Sequence, residues 1–575
     1  VDRPTQRRPE TDPRDGAVPA RAGARSSDHR DTGPGTEALA DSAPPANTPD
    51  HSVSPADEGP PPIARRTIIQ IMVGLVLAML TSMLSNSIVG TALPTIVGEL
   101  GGQDRLAWVA TAGLLTMTAS TPVWGKLSDI WGRKLLFQVA LGIFIVSTVA
   151  AGLAQDMNTL IIARACQGLG IGGLATLPNI ILGDVIPPRE RGRYSGFIGM
   201  VFGVSTVLGP LVGGFLVDSP LGWRWCFLIT VPLALVAFVV IQFMLNVPTV
   251  PRRGTPVDWM GAGFIFSAAS SLIVLLSLGG TQIPWISPLA IGLGIGTVLL
   301  TVAAVLVERR AKEPIIPTRL FANRTFVLAA FGSVCVGGMM FGLIIYMPQY
   351  LQMVHGMTPT VSGLMTLPLV GSFLTTSIGS GFAVSGSGRW KHYPVIGMVL
   401  CVLGFTALSF IDVTPGLSAL VAGQMLVGLG LGLNMQLLLL ATQSALPVPD
   451  LASGTASVVF FRNLGGATGV AAFGAVMVSR LQAEIGSASA SLPAEDEGGP
   501  DLSEVAEAAQ GSPELVHSLP GPVREVVVQA FDHAMQAVFL LGAPIALAGL
   551  VCVACIKGTP LRGRGPAAKA AEHSS

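Results

Sequence analysis

About fourteen apolar runs fill this chain from Thr67 onward, each near or above the ~20 residues that span a bilayer. They lie near residues 67–92, 107–124, 136–154, 159–183, 195–217, 225–246, 259–279, 287–307, 326–350, 361–384, 394–411, 416–444, 454–479 and 534–556. In hydrocarbon each backbone N–H and C=O must be satisfied inside the protein, so such runs predict helices. The expected fold class is an all-α integral membrane protein. Only 12% of residues are charged and the mean hydropathy is +0.62, where an ordinary soluble domain is about one quarter charged. Lys+Arg and Asp+Glu balance at 34 each, so net charge points to no partner and to no nucleic acid.

The charges concentrate between the runs and at the ends. Residues 1–66 are rich in Pro, Ala, Asp, Arg and Ser without apolar periodicity, and read as a disordered tail; 557–575 read as a second tail. Residues 481–532 form a long acidic connector around Glu495-Asp496-Glu497 and Asp501, and 522–533 within it suggest a short amphipathic helix. If the first tail is cytoplasmic, the inner connectors hold Lys126, Arg133, Lys134, Arg189, Arg191, Arg193, Arg252, Arg253, Arg309, Arg310, Lys312, Arg319, Arg324, Arg389 and Lys391. The outer ones then hold only Arg105, Arg224, Arg480 and Arg524. This bias puts both tails in the cytoplasm.

The chain also repeats itself. Arg164-Ala165-Cys166-Gln167-Gly168-Leu169-Gly170 in the fourth run is echoed by Gln424-Met425-Leu426-Val427-Gly428-Leu429-Gly430 in the twelfth. Gly125…Asp129…Gly132-Arg133 is echoed by Gly381…Ser385…Gly388-Arg389. Two six-helix bundles are expected, 67–247 and 326–556, with two extra central helices in 248–325. A parallel repeat of this kind suits a transporter with its site near the midplane.

Two segments carry the chemistry. One is the loop from Gly125 to Lys134, in which Gly132 allows a tight turn, Asp129 can face a helix N-terminus, and Arg133 can pair with Asp184. This cluster would lock an inner gate; a plainly solvated loop is the other reading. The second is Arg164 inside an apolar run, where an unpaired cation is costly. Either it bonds carbonyls and neighbours such as Gln167, or it faces a cavity as a fixed positive charge.

These segments resemble the major facilitator superfamily, and within it the fourteen-span drug:proton antiporters of the EmrB/QacA type. The matching pattern after the second helix is Gly125, Leu127, Asp129, Gly132, Arg133 and Lys134. In the fourth helix it is Arg164, Gln167, Gly168 and Gly170. The exporter signature of the fifth is met by Gly196, Gly209, Pro210, Gly213 and Gly214, with Ser205 in place of one glycine. The resemblance implies alternating-access export of drugs or an antibiotic across a bacterial cytoplasmic membrane. Protons are the implied coupling ion, the bilayer and a small molecule are the implied partners, and no cofactor or metal is implied. The glycines would let the fifth helix bend and a neighbour approach closely. Gly465, Gly466 and Gly469 would do the same beside Arg462.

The pattern breaks in the first helix, where relatives of this group carry an aspartate and this chain has Ser85, followed by Asn86. A tyrosine common in the second helix falls at Gly113. No Asp or Glu is expected inside a span, which leaves the Asp129–Asp184 rim pair as the group to carry a proton. Polar candidates for a cavity are Asn86, Asn179, Tyr346, Gln349, Asn434, Gln436 and Gln443, with Met339, Met340, Met365 and Met435 as an adaptable wall. All six cysteines lie in apolar runs, so neither a disulfide framework nor a metal site is expected. No nucleotide loop, metal cluster or nucleophile motif points to an enzyme. A lipid or siderophore exporter on the same scaffold and a non-transporting membrane sensor are the competing functions.

Overall fold

The computed structural model describes residues 65–101, 105–245, 257–279, 283–410, 417–489 and 521–558, together with Val516. The two expected tails, apart from their inner edges, and the middle of the 481–532 connector lie outside the described residues. So do Arg252 and Arg253.

Every apolar run falls on a helix. The first half comprises α1 (Arg65–Leu100), α2 (Leu106–Trp131), α3 (Arg133–Gly152), α4 (Met157–Val185), α5 (Pro188–Asp218) and a broken sixth element, α6 (Arg224–Leu228) and α7 (Thr230–Met244). Two helices follow, α8 (Trp259–Leu278) and α9 (Pro288–Arg310). The second half is α10 (Arg324–Met353), α11 (Pro359–Leu364) with α12 (Leu367–Ser387), α13 (His392–Ser409), α14 (Leu417–Ala445), α15 (Leu451–Ser489) and α16 (Gly521–Ala554). Thirteen stretches are long and apolar enough to cross a membrane. The remaining long helix is α2. It carries Thr111, Thr116, Thr118, Ser120 and Thr121, all buried, which lower its hydropathy but face protein rather than lipid.

Helix ends overrun the apolar runs. The segment 522–533, expected as a separate short helix in a loop, is the beginning of α16, and α15 continues to Ser489. The expectation that no carboxylate lies within a span is corrected by the same extension. Asp532 is 1% exposed in α16, and Glu308 is 5% exposed near the end of α9.

Packing within the halves follows the repeat. α4 lies against α2 and α3, and α14 lies against α12 and α13. A Cβ at Gly168 would strike the carbonyl of Gly113, and one at Gly428 the carbonyl of Leu369. Gly170 meets Ala140 and Phe144 of α3 as Gly430 meets Gly397 and Cys401 of α13. Thr116 donates to the Ala165 carbonyl at 2.7 Å and Thr376 to that of Leu429 at 3.0 Å. Lipid is as apolar as leucine, so such close backbone approach, not water exclusion, holds the helices together.

The halves meet along α5 with α12 and along α2 with α15. A Cβ at Gly125 on α2 would collide with Ala456 on α15, and one at Gly381 on α12 with the Gly192 carbonyl on α5. The extra helix α8 packs on both α2 and α15. α9 packs mainly on α8, and only 11% of its apolar window is buried.

Candidate functional site

At the end of the bundle bearing the Gly125–Lys134 loop, hereafter the basic end, Gly132 closes α2 with φ +93° and hands over directly to α3. A Cβ in that left-handed region would be strained. Arg133, the first residue of α3, bonds Asp129 at 2.6 Å and Asp184 of α4 at 2.7 Å, and also donates to Ser128 Oγ. The pair expected for Arg133 and Asp184 is thus in place, with Lys134 half-buried in the turn beside it. All three helices belong to the first half, so this triad ties one half together and does not itself bridge to the other.

Other contacts make the crossing. Gln443 of α14 donates to the Asn179 carbonyl of α4 at 3.0 Å and to Thr455 Oγ1 at 3.3 Å. The Arg193 backbone N–H donates to Ser385 Oγ at 3.1 Å, and its guanidinium lies 5.0 Å from the Phe382 ring. Lys126 of α2 pairs with Glu313 of the central linker at 2.6 Å, and Arg319 of the same linker holds Asp450 of the second half with a shortest contact of 2.6 Å, so these ion pairs bridge the halves through the linker. The sequence reading placed Lys126 and Arg319 in inner connectors but did not pair them, because their partners lie more than a hundred residues away.

A cavity of about 1070 Å³ lies between the halves on the other side of this closure. It runs from Arg462 in the first third of α15 to Gln482 near the far end, roughly 30 Å at ~1.5 Å per residue. Met79, Met83, Met117, Met340, Met435 and Met477 line it with Phe202, Phe341 and Trp285. Leu276, Ser277 and Gly279, at the end of α8, also reach it. Among the described residues no Asp or Glu lines it, and the ionisable side chains in its wall are Arg164, Arg462 and Tyr346.

Arg164 is 2% exposed. It donates to Gln167 Oε1, to Asn86 Oδ1 at 3.3 Å and to the Val109 carbonyl at 3.4 Å. Gln167 in turn donates to Ser85 Oγ at 3.1 Å and Thr148 Oγ1 at 2.7 Å. Both readings of Arg164 therefore hold in part: it is bonded by neutral acceptors, and it forms cavity wall. A Cβ at Gly113 would sit 3.0 Å from the guanidinium, so the bare backbone there makes room for it. Ser85 and Gln167 lie behind Arg164 and are not lining residues.

Asn86, Asn179, Tyr346, Gln349, Gln436, Met340 and Met435 face the cavity as expected, and so does Ser205, noted in sequence only as a replaced glycine of the α5 signature. Asn434 does not. It turns back to its own helix, donating to the Gly430 carbonyl at 2.8 Å beside Gly397. Met339 and Met365 are absent from the lining, and Gln443 belongs to the closure instead. Along α5, Gly196 lies against Ser377 and Ile378, Gly209 against Ser87, and Gly213 against Thr91. Pro210 sits within the unbroken helix. Gly214 is corrected: a Cβ there would meet nothing within 4 Å, so it permits no close approach. Arg462, noted in sequence only as a neighbour of the α15 glycines, is 7% exposed and forms cavity wall. The signal that singled out Arg164, an arginine within an apolar run, applied equally to it.

Two further polar groups stand outside the cavity. Buried Asp532 accepts from Tyr350 Oη at 2.9 Å and Gln536 Nε2 at 2.9 Å. Near the far end Glu99 accepts from Arg224 and from Trp223 Nε1 at 2.7 Å; the Arg224 bond first, then that of Trp223, holds its carboxyl below the usual carboxylate range. Among the described residues no group of His, Cys, Asp or Glu could hold a metal ion.

The model of the Major Facilitator Superfamily matches residues 75–470. An uncharacterized MFS-type transporter of Mycobacterium tuberculosis, Rv1877, is 37% identical over 502 residues, covering 86% of this chain and 70% of the relative. The multidrug transporter protein MdtP of Bacillus subtilis is 36% identical over 420 residues, covering 72% and 76%. Among solved structures, the MFS proton:xylose symporter XylE, bound to 6-bromo-6-deoxy-D-glucose, superposes with a TM-score of 0.55 at 15% identity, covering 86% of this chain and 97% of that one. At that identity the likeness shows the fold alone.

Proposed function

The chain belongs to the Major Facilitator Superfamily as a multi-pass membrane transporter, and we propose that it exports drugs or an antibiotic in exchange for protons by alternating access. One observation carries the reading. A large, methionine-rich cavity between the halves reaches the far end, while ion pairs and cross-half hydrogen bonds close the basic end. With the basic end in the cytoplasm, as the connector charges favour, this is the state that releases cargo outside. The multidrug relative supports export as the direction. The Asp129–Arg133–Asp184 triad then stiffens the inner gate, and Gly125 and Gly381 are the points where the halves close on one another. Among the described residues, the triad acids, Glu308 and Asp532 are buried or part-buried carboxylates that could carry the proton.

The test is transport in inside-out vesicles containing the full chain, under an imposed pH gradient, with a panel of amphipathic compounds. Uptake that collapses when nigericin dissipates the gradient is expected; gradient-independent movement, or none with any compound, would sink the reading. Asp129→Asn and Asp532→Asn, compared in the same vesicles, separate two of these proton routes. Orientation has its own check: a cysteine at exposed Ser487 should react with an impermeant thiol reagent from outside the cell, and one at exposed Ser387 should not. The opposite labelling pattern reverses the topology.

A further inference from the structure

The cavity holds a charge imbalance. Both cationic side chains in its wall are buried, and among the described residues no carboxylate lines the cavity with them. Arg164 has three neutral acceptors. Arg462 makes no hydrogen bond or ion pair with any described residue, although it is 7% exposed. A guanidinium offers five N–H donors, and those of Arg462 are open to the cavity without a protein partner among the described residues. An intramembrane cation of this kind is by default a functional group.

Depth matters as well. Counting ~1.5 Å per residue from the basic helix ends, Asn179, Gln436 and Arg462 lie roughly 9 to 17 Å in, on the cavity floor. Arg164 lies about 15 Å further out by the same count. On that floor Asn179 Oδ1 and Gln436 Oε1 are buried acceptors without a donor. Three polar side chains from α4, α14 and α15 thus line one floor: one cationic donor set and two neutral amides whose oxygens are buried.

We infer that the cargo is an amphipathic anion, and that Arg462 binds its charged group on the cavity floor. The neutral amides of Asn179 and Gln436 beside Arg462 leave the floor polar without adding a charge of either sign. The methionine and phenylalanine wall takes the apolar body, and Arg164 supplies a positive field along the path to the far end. A cationic amphipath would meet two like charges and no acid. The inference deepens the export reading and rests on it for the word cargo; the binding site itself does not depend on it.

The test is equilibrium binding to the full chain in lipid nanodiscs, with empty nanodiscs subtracted. The probes are 1-pyrenebutanoate and 1-pyrenebutylammonium, equal in apolar bulk and opposite in charge. The wild type should bind the carboxylate at least ~10-fold more tightly, the span expected for one hydrogen bond to a charged group. Arg462→Gln should lose at least ~10-fold for the carboxylate and nothing for the ammonium. Arg462→Lys should keep the preference with weaker affinity, because a point charge replaces a planar fork. Equal wild-type affinities overturn the inference, as does a preference or affinity unchanged in Arg462→Gln. Should that variant fail to fold, unchanged affinity in Arg462→Lys removes Arg462 as the ligand. If nanodiscs prefer the carboxylate while vesicles transport nothing, export fails and the anion site stands. If vesicles export ammonium compounds and nanodiscs show no preference, the anion site fails and export stands.

Discussion

The two halves share a packing plan and differ in where they keep charge. In the first, Gly168 and Gly170 seat α4 on α2 and α3; in the second, Gly428 and Gly430 seat α14 on α12 and α13 in the same manner. The first half has a triad of Asp129, Arg133 and Asp184 at its basic end. The second has Ser385 and Arg389 at the echoed positions, with Arg389 exposed. Arg164 in α4 corresponds to Gln424 in α14, which is fully buried with neither amide atom bonded. The second half instead contributes its cavity cation from α15, as Arg462. Close packing therefore survives duplication of the bundle, while ionic groups are placed where each half needs them. Packing is dictated by backbone geometry common to both; charge is not.

The strongest way to break this comparison is to attack the shared plan. Gly168→Leu and Gly428→Leu should each cost ~3 kcal/mol or more, since the new side chain meets a carbonyl of a neighbouring helix. Neither should give a monodisperse peak in size-exclusion chromatography. Tolerance in one half alone would mean the halves are not packed alike. Next comes the unshared charge. Arg133→Ala removes the centre of a part-buried triad and leaves two carboxylates facing each other, a loss of about 3 kcal/mol. Its transport should fall at least ~10-fold, while Arg389→Ala stays near wild type; equal losses would restore symmetry between the loops.

A smaller effect is expected at the broken position in α1. Ser85→Asp puts an acid next to Gln167, one side chain away from Arg164. It should weaken the carboxylate preference of the cavity by a few-fold, less than Arg462→Gln does, because Arg462 is untouched and lies ~15 Å deeper. A larger loss than that of Arg462→Gln would move the anion site to Arg164. The smallest effect belongs to Glu99, whose carboxyl is held below its ordinary value of about 4.5 by Arg224 and then Trp223. A depressed folded value contributes stability above the unfolded one and loses it as pH falls through the folded one. Wild type should therefore melt slightly above Glu99→Gln at pH 7, and the two curves should merge as the pH drops below 4.5.

How much of this was legible beforehand depended on what each residue had to reveal. Span positions were plain, because apolar length is a one-dimensional signal: the run near 159–183 became Met157–Val185, and that near 416–444 became Leu417–Ala445. The Arg133–Asp184 pair was legible because both residues sit at helix ends on one side of the membrane. Which side chains face the cavity was less so. α14 is apolar all round and 83% of its window is buried, so no polar stripe separates the cavity face from the packing face. Hence Gln436 faces the cavity, while Asn434, two residues away, turns to its own Gly430 carbonyl. Asp532 was placed in a loop because polar residues open α16 before its apolar stretch begins.

The position of α8 carries a consequence for how compounds arrive. A pair of six-helix bundles has two lateral seams through which a molecule dissolved in the bilayer could slip sideways. Here α8 leans on α2 and α15 and caulks one of them, with Phe460 and Ala119 packed around its Ala269. Its end near Gly279 joins Trp285 in the cavity wall. On that flank a membrane-dissolved compound meets a protein partition, with α9 as its lipid-facing skin. Any compound entering from the bilayer would have to use the opposite flank or the aqueous mouth. The added helices make the transporter one-sided to its lipid surroundings, although its core is built from a repeat.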